Sequence, residues 1–229
     1  MPKYWKDPYY DLITRSGKKI TIDVTTSVSA GLSPSSLVTK SVIPFLKKKQ
    51  VVKVLDFGAG ALRHTIPLLN SGFQVCAVEF QEGFSRPVAS RELAKAQKHG
   101  NFSKLIWPNQ FISDKRKFDA ALLIYVLQIM PIQKEREAVL KHIYQKLKPD
   151  SYLFYSSQYG QITQADKSNK VSDGYFRWPK RKMHSFYTEF NAEDTDKLIE
   201  SMGFKRLKSL GRGGPEQFFV YVKGSSTWV

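Results

Sequence analysis

Residues with the types and spacing for chemistry cluster at the end of an apolar run. Asp56-Phe57-Gly58-Ala59-Gly60 closes the stretch Val51–Phe57 and leads into good helix formers. Glycines at such a turn accept positive φ and leave no Cβ between backbone and ligand. Glu79 ends the next apolar run, 23 positions after Asp56. That is the spacing of a carboxylate that bonds ribose hydroxyls. A dinucleotide loop, G-x-G-x-x-G, would need a third glycine at position 63, which is Arg63. The turn therefore reads as a nucleoside-binding loop without the pyrophosphate signature. A second cluster is Tyr175-Phe176-Arg177-Trp178-Pro179-Lys180-Arg181-Lys182, followed by His184, Phe186 and Tyr187. Aromatics interleaved with cations suit stacked bases and phosphates.

The elements that must position these residues alternate between strand and helix. Buried strands are expected at Val51–Phe57, Phe73–Phe80, Lys104–Trp107, Phe118–Tyr125 and Tyr152–Ser156. Helices are expected between them, at about Leu62–Ser71, Arg86–His99 and Gln133–Leu147. A helix over Ala192–Met202 and a hairpin of Phe204–Leu210 with Gln217–Val222 close the chain. Upstream, Ile20–Val24 reads as a short strand and Pro34–Lys49 as a helix that Pro44 kinks or divides. Residues 158–186 lack periodicity and read as a long excursion. Such alternation argues for a parallel sheet with helices on both faces, and the terminal hairpin for an antiparallel edge strand. The domain reading is an N-terminal extension and helix over residues 1–49, covering the cofactor and acceptor site. A catalytic domain follows over 50–229, with a basic aromatic excursion at about 158–190.

The loop Asp56-Phe57-Gly58-Ala59-Gly60 resembles motif I of the class I S-adenosylmethionine-dependent methyltransferases. Glu79 resembles that family's acid at the end of the second strand. Phe118-Asp119, Val126-Leu127-Gln128-Ile129-Met130-Pro131, Leu147-Lys148-Pro149 and Met202-Gly203-Phe204 resemble its later signatures, in order. The resemblance implies a Rossmann-like α/β fold with a seven-stranded, mostly parallel sheet. It implies S-adenosyl-L-methionine as cofactor and S-adenosyl-L-homocysteine as product. It places Asp56, Gly58, Ala59 and Gly60 at the methionine end, Glu79 on the ribose, Phe80 along the adenine and Trp107-Pro108-Asn109 over the adenine edge. Tyr125 and Val126 would lie near the reactive sulfonium. Where the family often has a third loop glycine, this chain has Leu62, which would narrow the loop.

The charge bears on the acceptor. Thirty-six Lys and Arg against 20 Asp and Glu give +16 in 229 residues. Such a field attracts polyanions. Nucleic acid is the favoured acceptor, with RNA ahead of DNA. Ile124-Tyr125-Val126-Leu127 lacks the [DNS]-P-P-[YF] motif that cradles exocyclic base amines. Arg177, Trp178, Lys180 and Arg181 would bind that substrate. A small-molecule acceptor is the alternative, with the excursion as a lid. A third reading is a non-catalytic nucleic-acid-binding protein with this fold. Tyr125, His184 and Tyr187 are the catalytic candidates, with Glu189 beside them. His64 and His142 are not read as catalytic, and no histidine spacing suggests a metal. The N-terminal Tyr4, Trp5, Tyr9 and Tyr10 would cover the cofactor or build the acceptor pocket. One cysteine, Cys76, excludes an intrachain disulfide. No apolar run is long enough for a membrane span or a signal peptide, so a cytoplasmic protein is expected.

Overall fold

The computed structural model describes residues 7–27, 31–177, 183–211 and 216–224. Twelve strands run β1 Tyr9–Ile13, β2 Lys19–Asp23, β3 Lys53–Phe57, β4 Gln74–Glu79, β5 Phe102–Ile106 and β6 Phe118–Ile124. They continue as β7 Leu147–Gln158, β8 Lys170–Val171, β9 Gly174–Arg177, β10 Ser185–Tyr187, β11 Phe204–Ser209 and β12 Glu216–Lys223. The helices are α1 Ile43–Lys48, α2 Thr65–Asn70, α3 Gln81–Phe84, α4 Pro87–Ala96, α5 Asn109–Ser113, α6 Gln133–Lys146, α7 Gln164–Lys167 and α8 Ala192–Glu200.

The main sheet has seven strands in the order β11-β12-β7-β6-β3-β4-β5. Strands β7, β6, β3, β4 and β5 pair in parallel, and β12 runs antiparallel to both β7 and β11. This is the Rossmann-like sheet expected from the alternation. Buried on both faces, its central strands are nearly continuous apolar runs such as Ala120–Ile124. The two-residue period divides them. Val54, Val75, Ala77, Ala120 and Leu122 face α1, α2 and α4, while Leu55, Cys76, Val78, Ala121 and Leu123 face α5, α6 and α8.

The expected helix at 34–49 begins at Ser36 and widens into a π turn over Val38–Val42. There the Ile43 N–H reaches Val38 O, five residues back. Pro44 follows at the start of α1. The widened turn takes in the ring, and the helix runs on past it. Val38, Val42, Ile43 and Leu46 bury this segment against the sheet, so it belongs to the core instead of covering the site.

The excursion is more regular than its sequence. It folds β8, β9 and β10 into a three-stranded antiparallel sheet. The β1–β2 hairpin joins it through an Ile22–His184 bridge. Tyr10, Ile20, Ile22, Val24, Val171, Phe176 and Phe186 form its own small core. Among the described residues no helix is long and apolar enough to cross a membrane.

Candidate active site

The chain reverses its winding between β3 and β6, and the C-terminal ends of β3, β4 and β6 open a crevice there. A cavity of about 350 Å³ occupies it. One wall is Phe57–Ala61 with Val78, Glu79, Phe80 and Trp107; the opposite wall includes Tyr10, Val24, Thr25, Ile129 and Met130.

The glycine loop is fixed by its neighbours. Gly58 and Ala59 donate N–H bonds to Val78 O at 2.9 and 3.1 Å. Gly58 has φ +73°, and a Cβ there would lie 2.4 Å from Val126 Cγ2. Gly60, at φ +53°, donates its N–H to Glu79 Oε2 at 2.9 Å. Phe80 N–H bonds the other oxygen, Oε1, at 2.8 Å. Glu79 is thus held by two backbone donors and faces the cavity. Burial raises its pKa, and those two N–H groups oppose the rise. Gly83 allows this packing, because a Cβ there would fall 2.5 Å from Glu79 Cγ. No sequence signal marked Gly83.

Asp56 is placed differently from the expectation. It is buried behind the loop, accepts the Thr65 hydroxyl at 2.6 Å and does not line the cavity. Burial pushes its carboxyl up to about 6, against the pull of Thr65. It clamps β3 to the start of α2. Leu62 does not narrow the loop either. Its side chain is fully buried in the core, and its backbone sits at φ +61°. Leucine therefore occupies a left-handed conformation that glycine adopts without strain.

Phe80 and Tyr125 line the cavity as expected. Tyr125 has φ +59°, and its hydroxyl bonds Glu216 Oε1. Burial and then Glu216 raise its pKa. The Arg63 guanidinium lies 5.4 Å from its ring centre. Of Trp107-Pro108-Asn109, Trp107 lines the cavity, while Asn109 opens α5 and does not.

The other catalytic candidates are not brought to the cavity. His184 joins the small sheet through backbone bonds to Thr21 and Asp23, its ring edge-on to Phe176 at 5.1 Å. Tyr187 is buried behind the wall and donates its hydroxyl to Gln158 O at 2.9 Å. Glu189 receives the N–H groups of Gln161 and Ile162. Arg177 pairs with Asp166 at 3.1 Å and stacks on Tyr187. Trp178, Lys180 and Arg181, like Tyr4 and Trp5, lie outside the described residues.

The structure adds residues that sequence reasoning passed over. His64, 6% exposed, stands in the cavity wall, and neither ring nitrogen has a hydrogen-bond partner. Burial, then the Arg63 charge, pushes it down to about 3, so the ring is neutral. Gln128 and Gln158 also line the cavity, and the Gln128 amide oxygen accepts the Gln158 N–H at 2.9 Å. A buried histidine without partners has no sequence signal, since its surroundings come from distant segments. No cluster of metal-ligating side chains occurs among the described residues.

The family model described as "Methyltransferase domain" matches residues 55–153, from β3 into β7. Residues 55–153 are a methyltransferase domain. The match takes in the glycine loop, Glu79 and Tyr125; the β1–β2 hairpin lies outside it. The fold is that of class I S-adenosylmethionine-dependent methyltransferases, as solved structures show. One is an S-adenosylmethionine-dependent methyltransferase from Clostridium acetobutylicum, with TM-score 0.64 and 13% identity over 84% of this chain and 93% of that one. Another is 1,6-didemethyltoxoflavin-N1-methyltransferase from Burkholderia thailandensis, solved with 1,6-didemethyltoxoflavin and S-adenosylhomocysteine. It has TM-score 0.61 and 20% identity over 83% and 79% of the two chains. A third is magnesium protoporphyrin IX methyltransferase from Synechocystis PCC 6803 with bound S-adenosylhomocysteine. It has TM-score 0.59 and 18% identity over 81% of each chain. No curated protein sequence matches the chain.

Proposed function

We propose that this chain transfers a methyl group from S-adenosylmethionine to a small molecule. The observation that carries the reading is the cavity in the crevice at the switch point. Its volume, about 350 Å³, falls in the range of small-molecule sites. The nucleic-acid reading finds less support. Arg177 is paired with Asp166, Arg116 with Asp114, and Lys117 bonds Gln145 O at 2.5 Å. These cations of the two basic runs serve intramolecular bonds. The net charge of +16 is then a property of the surface. The toxoflavin-type and porphyrin methyltransferases named above act on small molecules.

The residues present fit the cofactor. Glu79 retains lone pairs toward the cavity for the ribose diol, with both oxygens already fixed by backbone donors. Val78, Phe80 and Trp107 supply apolar surface for an adenine ring. Arg63, in the wall, suits the carboxylate of the methionine end. S-adenosylmethionine brings an activated methyl on a positively charged sulfur. The protein's own contribution is alignment, because holding two reactants in line removes most of the entropic barrier.

Calorimetric titration with S-adenosylhomocysteine tests the cofactor assignment. Glu79→Ala is expected to weaken binding about 10- to 100-fold, the worth of a hydrogen bond to a charged group. Unchanged affinity removes Glu79 from the ribose. Tritiated methyl transfer into a metabolite extract, bulk RNA and bulk DNA tests the acceptor. Label confined to small molecules is expected; label in RNA would overturn the small-molecule reading.

A further inference from the structure

The wall facing the glycine loop contains a buried polar pair that packing does not call for. Tyr10 lines the cavity and donates its hydroxyl to Glu135 Oε2 at 2.6 Å. Tyr10 is 5% exposed and Glu135 3%. The other Glu135 oxygen, Oε1, has no hydrogen-bond partner. Arg136, next along α6, is engaged elsewhere: it donates to Met130 O at 2.6 Å and pairs with Asp173. Glu135 therefore faces one hydrogen-bonding group, the phenol of a strand far away in sequence. A buried carboxyl with an unbonded oxygen costs stability, and an apolar pair of the same shape would hold the hairpin better.

We propose that Tyr10 is a catalytic residue, and Glu135 a positioning residue acting through it, that together take the proton from a hydroxyl-bearing acceptor during methyl transfer. This rests on the function proposed above and assigns its substrate class. The acceptor oxygen forms a bond to the methyl carbon as the carbon–sulfur bond breaks and its electron pair stays on sulfur. The acceptor's proton passes to Tyr10 Oη while the Tyr10 proton passes to Glu135 Oε2, leaving a neutral carboxyl. No oxidant or metal is required. Val24, Ile129 and Met130 beside Tyr10 give that end of the cavity an apolar lining suited to a compact hydroxylated ring. Burial pushes Glu135 up to about 7, opposed by Tyr10 and the Arg136 charge, so both its forms are available near neutrality. Burial, then the Glu135 charge, raise the Tyr10 pKa, and the Asp7 charge acts in the same direction, so Tyr10 passes a proton on to Glu135 and does not stand ionised itself.

The test uses 4-nitrophenol, whose phenolate is coloured, on the whole chain saturated with S-adenosylhomocysteine. Its absorbance is followed from about pH 5 to about pH 9, across the ordinary ranges of the groups involved. In the wild type the bound dye shares a proton with Glu135. The Glu135 carboxylate opposes a second negative charge beside it, so the dye's full colour should appear at least about one pH unit higher than in Glu135→Gln or Tyr10→Phe, a tenfold difference in ionisation. Glu135→Gln keeps an acceptor for the Tyr10 hydroxyl, so the hairpin stays anchored. The double variant should shift no further than either single one, because the two act as one path. Identical titrations in wild type and both variants overturn the proposal, as does failure of the dye to bind the complex at millimolar concentration. Failure of S-adenosylhomocysteine itself to bind is a separate outcome, which sinks the methyl-transfer reading as well.

Discussion

Gly58→Ala tests how tightly the glycine loop is fixed. Two costs follow from the geometry. At φ +73° a side chain brings a left-handed penalty of about 1–2 kcal/mol. The added Cβ would also sit 2.4 Å from Val126 Cγ2, about 1 Å inside ordinary contact. Valine is stiff at χ1 and relieves the overlap only by leaving its rotamer or moving the backbone. Such overpacking costs about 1–3 kcal/mol. The sum is about 2–5 kcal/mol, read by urea denaturation of Gly58→Ala, Val126→Ala and the double variant. Truncating Val126 removes the steric part and leaves the backbone part. The double variant should therefore be more stable than additivity predicts, by about 1–3 kcal/mol. A Gly58→Ala protein within about 0.5 kcal/mol of wild type would refute the reasoning, as would a cycle without coupling.

Three further outcomes are expected. Glycine normally costs about 0.5–1 kcal/mol against alanine, but Leu62 sits at φ +61°. Leu62→Gly should therefore be at least as stable as Leu62→Ala in urea, and the opposite order would show that the left-handed backbone is not retained. His64→Leu should leave the melting temperature unchanged or higher, since it removes a buried imidazole without partners, while weakening ligand binding by calorimetry; a large drop in melting temperature would mean the imidazole serves the fold. Asp56 has a folded pKa of about 6, above its ordinary 3.8, so the folded state holds its proton more tightly than the unfolded one. The stability this confers is fully present below about pH 3.8 and is lost as pH rises through about 6. Asp56→Asn lacks that loss, so its melting temperature should gain on wild type between pH 4 and 7, and a constant difference would show that Asp56 does not titrate there.

Much of the architecture was legible because its signals are local. Val51–Phe57, Phe73–Phe80 and Phe118–Tyr125 are strands buried on both faces, and such strands announce themselves as apolar runs. The small sheet was not legible. Its strands and those of the β1–β2 hairpin hold between two and five residues, and the bridge that joins them, Ile22 to His184, spans most of the chain. For the aromatics and cations at 175–187, sequence shows composition but not partners. Among the described residues of that run, Arg177 meets Asp166, and Phe176 and Phe186 turn into the small sheet's own core.

The sequence by itself determined the strands and helices of the main sheet, the glycine loop and the acid that follows it, and the resemblance those residues carry implied the cofactor class. Each depends on residues close together in the chain, where backbone conformation and burial period act. Only the tertiary structure decided which side chains face the cavity. It set Asp56 behind the loop, buried Leu62 in the core, kept Trp107 but not Asn109 in the wall and left His184 in the small sheet. It also brought Tyr10 to Glu135, 125 positions apart. Burial and hydrogen-bond satisfaction are properties of surroundings assembled from distant segments, so no local pattern encodes them.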